Sequence, residues 1–218
     1  MSLARPRALL FDWDNTLVDT WGVIHHALAV TFEAMGREPW TLEQVRRRVR
    51  QSARDAFPKL FGARAGEAAE IFYGTYEKSH LAKLAEAPGA GAMLRRLAGA
   101  EDLYLGVVSN KRGDLLRREA EHLGWAVFFG GIVGATDAPR DKPAPDAVEM
   151  ALAGSGIPPG EEVWFVGDTD IDMVCAVNSG CLPVLVRAQG PAAGEFPGAT
   201  PRVHVPDCIA LADRVMSL

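Results

Sequence analysis

Runs of consecutive apolar residues recur along the chain at 8–11 (Ala8-Leu9-Leu10-Phe11), 103–108, 163–166 and 182–186. Short runs with no polar alternation predict strands buried on both faces. Between them lie stretches of helical period at 115–123, with an Arg/Glu face, at 146–152 and at 173–177. This alternation of strand and helix predicts an α/β fold, in which helices cover both faces of a parallel sheet.

One region breaks the alternation. Residues 20–84 contain no strand-like run but three stretches of helical period: Val23, Ala27, Leu28, Thr31, Phe32 and Met35; then Leu42, Val45, Val49, Ala53 and Ala56; then Ala68, Ile71, Phe72, Thr75 and Tyr76. Gly36 and Pro39 separate the first two, and Phe57-Pro58 with Phe61-Gly62 separates the second from the third. The pattern predicts a helical insertion at 20–84, leaving after the first strand and returning at Ala87-Pro88-Gly89, with 1–19 and 85–218 forming the α/β core. Trp40, Phe57, Phe61 and Tyr73 are expected to pack between the inserted helices. Residues 190–201, rich in Pro, Gly and Ala, read as a surface loop.

The 218 residues and 48% apolar content suffice for one packed core with an insertion. A formal charge of −5 offers no footprint for DNA or RNA, so no nucleic-acid partner is expected. No run reaches the roughly 18–20 apolar residues of a membrane helix, and 1–7 is too short and polar for a secretory leader, so no membrane partner and a cytoplasmic location are expected. Cys175, Cys181 and Cys208 lack zinc-like spacing and read as reduced structural thiols.

Four segments on strand ends or helix starts carry candidate chemistry. In Phe11-Asp12-Trp13-Asp14-Asn15-Thr16, two carboxylates emerge directly after a strand, although Asp and Asn also serve as turn caps. Ser109-Asn110-Lys111 follows another strand, with Gly113 and Asp114 opening a helix; this suits a phosphate cradle as well as an ordinary helix cap. Lys142, within Asp141-Lys142-Pro143-Ala144-Pro145, is held by stiff neighbours or is simply solvated. Gly167-Asp168-Thr169-Asp170-Ile171-Asp172 crowds acidic residues into a turn, an arrangement that calls for a cation or strong donors. In an open parallel sheet ligands bind beyond the strands' carboxyl ends, and all four segments fall on that edge.

Taken together and in this order, Asp12-x-Asp14-Asn15-Thr16, Ser109-Asn110, Lys142-Pro143 and Gly167-Asp168-Thr169-x-x-Asp172 closely resemble the motifs of the haloacid-dehalogenase-like hydrolases, especially the phosphoglycolate-phosphatase and phosphoglucomutase-like branch. The resemblance spans essentially the whole chain. It implies a Rossmann-like core with the first strand central, a helical cap at 20–84 and a cis Lys142-Pro143 peptide. The implied activity is a Mg2+-dependent phosphatase acting on a small phosphorylated metabolite. Asp12 is the implied nucleophile and Asp14 the acid and base, with Ser109 and Lys142 also catalytic. Asn15, Ser109, Asn110 and Lys142 bind the phosphate in this scheme, and Asp12, Asp14 (through its carbonyl), Asp168 and Asp172 hold the metal. A phosphomutase would use the same chemistry while sheltering the aspartyl-phosphate from water. A haloacid dehalogenase would attack carbon and need neither metal nor Asp14. Among substrates, phosphoglycolate leads, with His25, His26 or the arginines at 46–48, 50 and 54 as candidate partners for its carboxylate. The arginine run also reads as a solvated helix face.

Overall fold

The computed structural model describes residues 3–218. Met1 and Ser2, the start of the stretch 1–7 read above as too polar for a leader, lie outside the described residues. Strand β1 (Ala8–Phe11) is wholly buried and pairs in parallel with strands on both sides. Phe11 stands level with Val107 on one neighbour and with Val166 on the other. A short ribbon strand, β2 (Val18–Asp19), follows, then four helices: α1 (Trp21–Ala34), α2 (Leu42–Arg48), α3 (Ala53–Phe61) and α4 (Ala65–Glu77). The chain returns through β3 (Ala85–Glu86), which pairs antiparallel with β2. Next come α5 (Ala90–Ala98), β4 (Tyr104–Arg112), α6 (Gly113–His122), β5 (Gly131–Ala135), α7 (Asp146–Leu152), β6 (Val163–Gly167), α8 (Asp170–Asn178), β7 (Leu182–Val186), β8 (Val203–Val205) and α9 (Cys208–Met216).

The main sheet is parallel throughout, in the order β5-β4-β1-β6-β7-β8. Because side chains alternate along a strand, β1 serves two cores at once. Leu9 and Phe11 join Trp164, Val166 and the apolar stripes of α5 and α9, whereas Ala8 and Leu10 join Val163, Phe165 and the inner sides of α7 and α8. Each fully buried Leu or Phe contributes about 1.5–3 kcal/mol relative to exposure. The continuous run at 8–11 is therefore what makes β1 the centre of the sheet. Connections from β1 first run outward through β4 and β5, then cross back to β6, so the switch point lies at β1.

Helices α1 to α4, joined by Leu115 of α6, form a separate apolar cluster containing Phe32, Phe57, Phe61 and Tyr76, with Trp40 and Tyr73 packed against it. The stretch expected to run unbroken from 42 to 56 is two helices. Val49 is extended (φ −78°, ψ 108°), and the Ser52 side chain accepts the Asp55 N–H to start α3 afresh. Pro58 lies inside α3 and does not end it, because burial of Phe57 and Phe61 on either side outweighs the missing N–H. All three cysteines are free and buried. Among the described residues, no helix is long and apolar enough to cross a membrane.

Candidate active site

The four segments meet at the carboxyl edge of the sheet, around the end of β1. Asp12 follows Phe11 directly, and its N–H donates to the Val166 carbonyl (2.8 Å), extending the strand pairing by one residue. The chain then curls. Leu17 N–H donates to the Trp13 carbonyl (2.9 Å), and Asn15 sits in the left-handed region at φ 65°. The Asn15 N–H donates to the Val18 carbonyl (2.6 Å) and so closes the turn. Within the same turn, the N–H groups of Trp13 and Asp14 donate to no acceptor among the described residues.

Ser109 and Asn110 lie within β4, which was expected to end at Val108 but continues to Arg112. The pairing with β5 slips between Val108 and Arg112, an irregularity of the kind that re-aims side chains. Ser109 is buried, and its Oγ accepts the Lys111 N–H (3.2 Å), leaving the hydroxyl proton to donate elsewhere. The Asn110 amide clamps residue 142: Oδ1 accepts the Lys142 N–H (3.0 Å) and Nδ2 donates to the Lys142 carbonyl (3.2 Å). The Lys142-Pro143 peptide is cis.

So held, the Lys142 side chain runs inward and is 2% exposed. Its Nζ donates to Asp12 Oδ1 (2.7 Å) and Asp172 Oδ1 (2.8 Å). Asp172, in the first turn of α8, accepts on Oδ2 from the Thr169 N–H (3.1 Å) and hydroxyl (2.8 Å). Gly167 is required beside it, because a Cβ there would collide with the Asp172 side chain. Asp168 ends the β6 turn, with the Thr16 hydroxyl 3.4 Å from its Oδ1.

Carboxylate oxygens of Asp12, Asp168 and Asp172 lie within 4.8 Å of one another. Burial foremost, opposed by Lys142 and reinforced by Asp172, pushes the Asp12 carboxyl up to about 7. Burial, then the charges of Asp172 and Asp12, likewise raises Asp168 well above the usual carboxylate range. Burial would lower Lys142, but Asp12 and Asp172 outweigh it and hold the ammonium firmly charged. Three carboxyl groups converging beside one ammonium put hard oxygen donors together, a set whose ionised form a divalent cation would favour and that could hold one.

The family model for haloacid dehalogenase-like hydrolases matches residues 9–186, which takes in all four segments. The chain belongs to the haloacid dehalogenase-like hydrolase family. It is 32% identical over 173 residues to the pyrophosphatase PpaX of Listeria monocytogenes, covering 78% of each chain. It is also 30% identical over 197 residues to the phosphoglycolate phosphatase of Rhodospirillum rubrum, covering 85% of this chain and 80% of the relative. A haloacid dehalogenase-like hydrolase from Streptococcus pneumoniae shares the fold, with a TM-score of 0.82 at 22% identity over 96% of this chain and 98% of its own. The chain is thus an enzyme of the phosphatase type.

In this haloacid dehalogenase-like hydrolase, Asp14 lines the same cavity as Asp12 but is not one of the three clustered carboxylates. Its Oδ1 takes both the Thr20 hydroxyl (2.6 Å) and Lys111 Nζ (2.7 Å). Lys111 in turn reaches Glu119 Oε2 (2.6 Å), which also accepts from Trp13 Nε1 (2.7 Å). Glu119 Oε1 meets the Tyr76 hydroxyl (3.1 Å) and His80 Nδ1 (2.8 Å). Burial would raise Glu119, but Lys111, His80 and Trp13 together hold its carboxyl down at about 2. Sequence reading missed this hub. Lys111 carried a signal, since it adjoins Ser109-Asn110, but Glu119 is one of several charged residues on α6.

The arginines divide. Arg46, Arg47 and Arg48 are exposed, as a solvated helix face requires, and Arg48 lies 4.9 Å over the Trp40 ring. Arg54 makes a two-point pair with Asp141 (2.5 and 3.0 Å), and Arg50 pairs with Asp170 (2.9 Å). These contacts tie the helical layer to the sheet edge. His25 Nε2 contacts the Trp40 carbonyl (3.1 Å), and His26 is exposed.

Proposed function

We propose that the enzyme is a magnesium-dependent phosphomonoesterase that transfers the phosphoryl group of a small soluble ester to Asp12 and then to water. The observation carrying this reading is the meeting of Asp12, Asp168 and Asp172 within 4.8 Å, with the Lys142 ammonium 2.7 Å from the first. Lys142 holds Asp12 Oδ1, which directs Oδ2 at phosphorus for in-line attack. As the ester P–O bond breaks, Asp14 gives its proton to the departing alkoxide. The same carboxylate then takes a proton from the water that attacks the phosphorylated Asp12 and releases phosphate. The Thr20 hydroxyl and Lys111 Nζ both meet Asp14 at Oδ1, which leaves Oδ2 to serve in these transfers.

Asp12, Asp168 and the Asp14 carbonyl, beside Asp172, would hold a magnesium ion, which would supply positive charge opposite the phosphoryl oxygens. The Ser109 hydroxyl, the N–H groups of Trp13 and Asp14, and Lys142 serve as the remaining donors to those oxygens. Helices α1 to α4 act as a cap over this centre, with the β2–β3 ribbon as the two-stranded neck where the chain crosses out and back. Three free thiols suit a reducing cytoplasm.

The test is release of inorganic phosphate from acetyl phosphate with and without magnesium. Release that requires the metal and is lost in Asp12→Asn is expected. Metal-independent release, or full activity in Asp12→Asn, would overturn the reading. Phosphoglycolate and pyrophosphate, after which two relatives are named, belong in the same panel.

A further inference from the structure

One cavity of about 300 Å³ runs from Asp12 and Ser109 up into the helical layer. Its two ends differ in chemistry. The sheet end is made of the carboxylates, Lys142 and the Ser109-Asn110 segment, whereas the far end is walled by Trp21, Ile24 and Leu28 of α1, Trp40, Leu60 of α3 and Phe72 of α4. Ile24 and Leu28 are buried, and the other four are partly buried, so these side chains form a wall and not an outer surface.

Cations also line the cavity, but those near the reacting end have partners. Lys142 is shared by Asp12 and Asp172, and Lys111 by Asp14 and Glu119. Arg112 is paired with Glu77 and Asp114, and Arg50 with Asp170. Of the remainder, Arg48 is exposed and laid over Trp40, and exposed Lys59 donates to Gln51 Oε1 (2.6 Å). A carboxylate or second phosphate carried into the far end would give up its hydration among aromatic and aliphatic walls, with the inner ammonium and guanidinium groups already neutralised and only the solvent-exposed Arg48 and Lys59 at the rim to answer its charge. An apolar group placed there gives up no hydrogen bonds to water and gains burial.

We infer that the alcohol portion of the preferred substrate is apolar: this cavity selects phosphomonoesters of a small aryl-alkyl or branched alkyl alcohol over those bearing a second anionic group. The inference rests on the phosphatase reading above and adds to it the class of leaving group. The phosphate is held at Asp12 while the alcohol's hydrocarbon lies against Trp21, Ile24 and Leu60. On departure the alcohol oxygen takes its proton from Asp14, so hydrolysis consumes one water and yields the free alcohol and inorganic phosphate.

The experiment compares kcat/KM with magnesium for ethyl, benzyl and cyclohexylmethyl phosphate, whose alcohols have similar leaving ability, alongside phosphoglycolate, pyrophosphate and acetyl phosphate. Benzyl and cyclohexylmethyl phosphate are expected to exceed both ethyl phosphate and phosphoglycolate on the order of tenfold or more, the scale of apolar-pocket discrimination. The benzyl-to-ethyl ratio is expected to fall toward unity in Trp21→Ala, a ratio that a partly folded sample would not alter. Phosphoglycolate or pyrophosphate turning over as well as the benzyl ester would overturn the inference while leaving the phosphatase chemistry intact. A ratio unchanged in Trp21→Ala would remove this cavity as the cause. Failure to release phosphate from any compound, acetyl phosphate included, would instead bring down the reading on which the inference stands.

Discussion

Replacing Glu119 with Gln keeps the shape of a fully buried side chain, removes its charge and turns one of its two accepting oxygens into a donating NH2. In the wild type its two oxygens accept from Trp13, Tyr76, His80 and Lys111 at 2.6 to 3.1 Å. The carboxyl is held at about 2 against a usual 4.5, a preference of the fold for the ionised form worth about 3 kcal/mol. Glu119→Gln should therefore destabilise the protein by about 3 kcal/mol at pH 7, near the range for breaking a buried ion pair. The pH dependence fixes the cause. A depressed folded pKa contributes stability that is present above the unfolded value and is lost as pH falls from about 4.5 through about 2. The gap between wild type and variant should thus shrink to about 1–2 kcal/mol at pH 3. Urea unfolding of both proteins at pH 7 and pH 3, followed by far-ultraviolet circular dichroism, reads the difference directly. A gap below about 1 kcal/mol at pH 7, or one that does not narrow on acidification, would refute the assignment of Glu119 as a charged hub.

Two further substitutions probe the reacting centre. Lys142→Ala leaves Asp12, Asp168 and Asp172 facing one another with no ammonium between them, so turnover of acetyl phosphate should fall on the order of 100-fold or more, and near-normal turnover would contradict the charge balance proposed here. Gly167→Ala drives a methyl group into the Asp172 side chain, which should cost about 1–3 kcal/mol in urea unfolding and also lower kcat by displacing Lys142; wild-type stability and turnover together would show that the turn has room to spare.

The parts legible in the sequence are those where one residue type decides the outcome. The unbroken apolar run at 8–11 had to be a two-face-buried strand, and polar residues placed directly after such runs had to reach one sheet edge. Strand β5 was missed because glycines interrupt it. A Cβ on Gly134 would strike the Lys111 carbonyl and the Gly113 backbone, so tight packing against the Ser109-Asn110-Lys111 segment dictates a residue that weakens the strand signal. The split between α2 and α3 turns on a single cap, Ser52, inside an otherwise continuous helical period. The Asn15 N–H is taken up by the Val18 carbonyl because Asn15 turns left-handed, a choice local sequence does not reveal. Glu119 was hidden for a different reason. Its partners come from residues 13, 76, 80 and 111, and only folding brings them together around one face of α6.

The central claim is that Asp12 itself carries the phosphoryl group. Turnover with magnesium and acetyl phosphate can be quenched in acid and treated with borohydride, which reduces an acyl phosphate to the alcohol. Mass spectrometry of the peptide containing residues 8–17 should then find homoserine in place of Asp12, and unmodified Asp14. Steady phosphate release with Asp12 left intact, or reduction at a different carboxylate, would contradict the account.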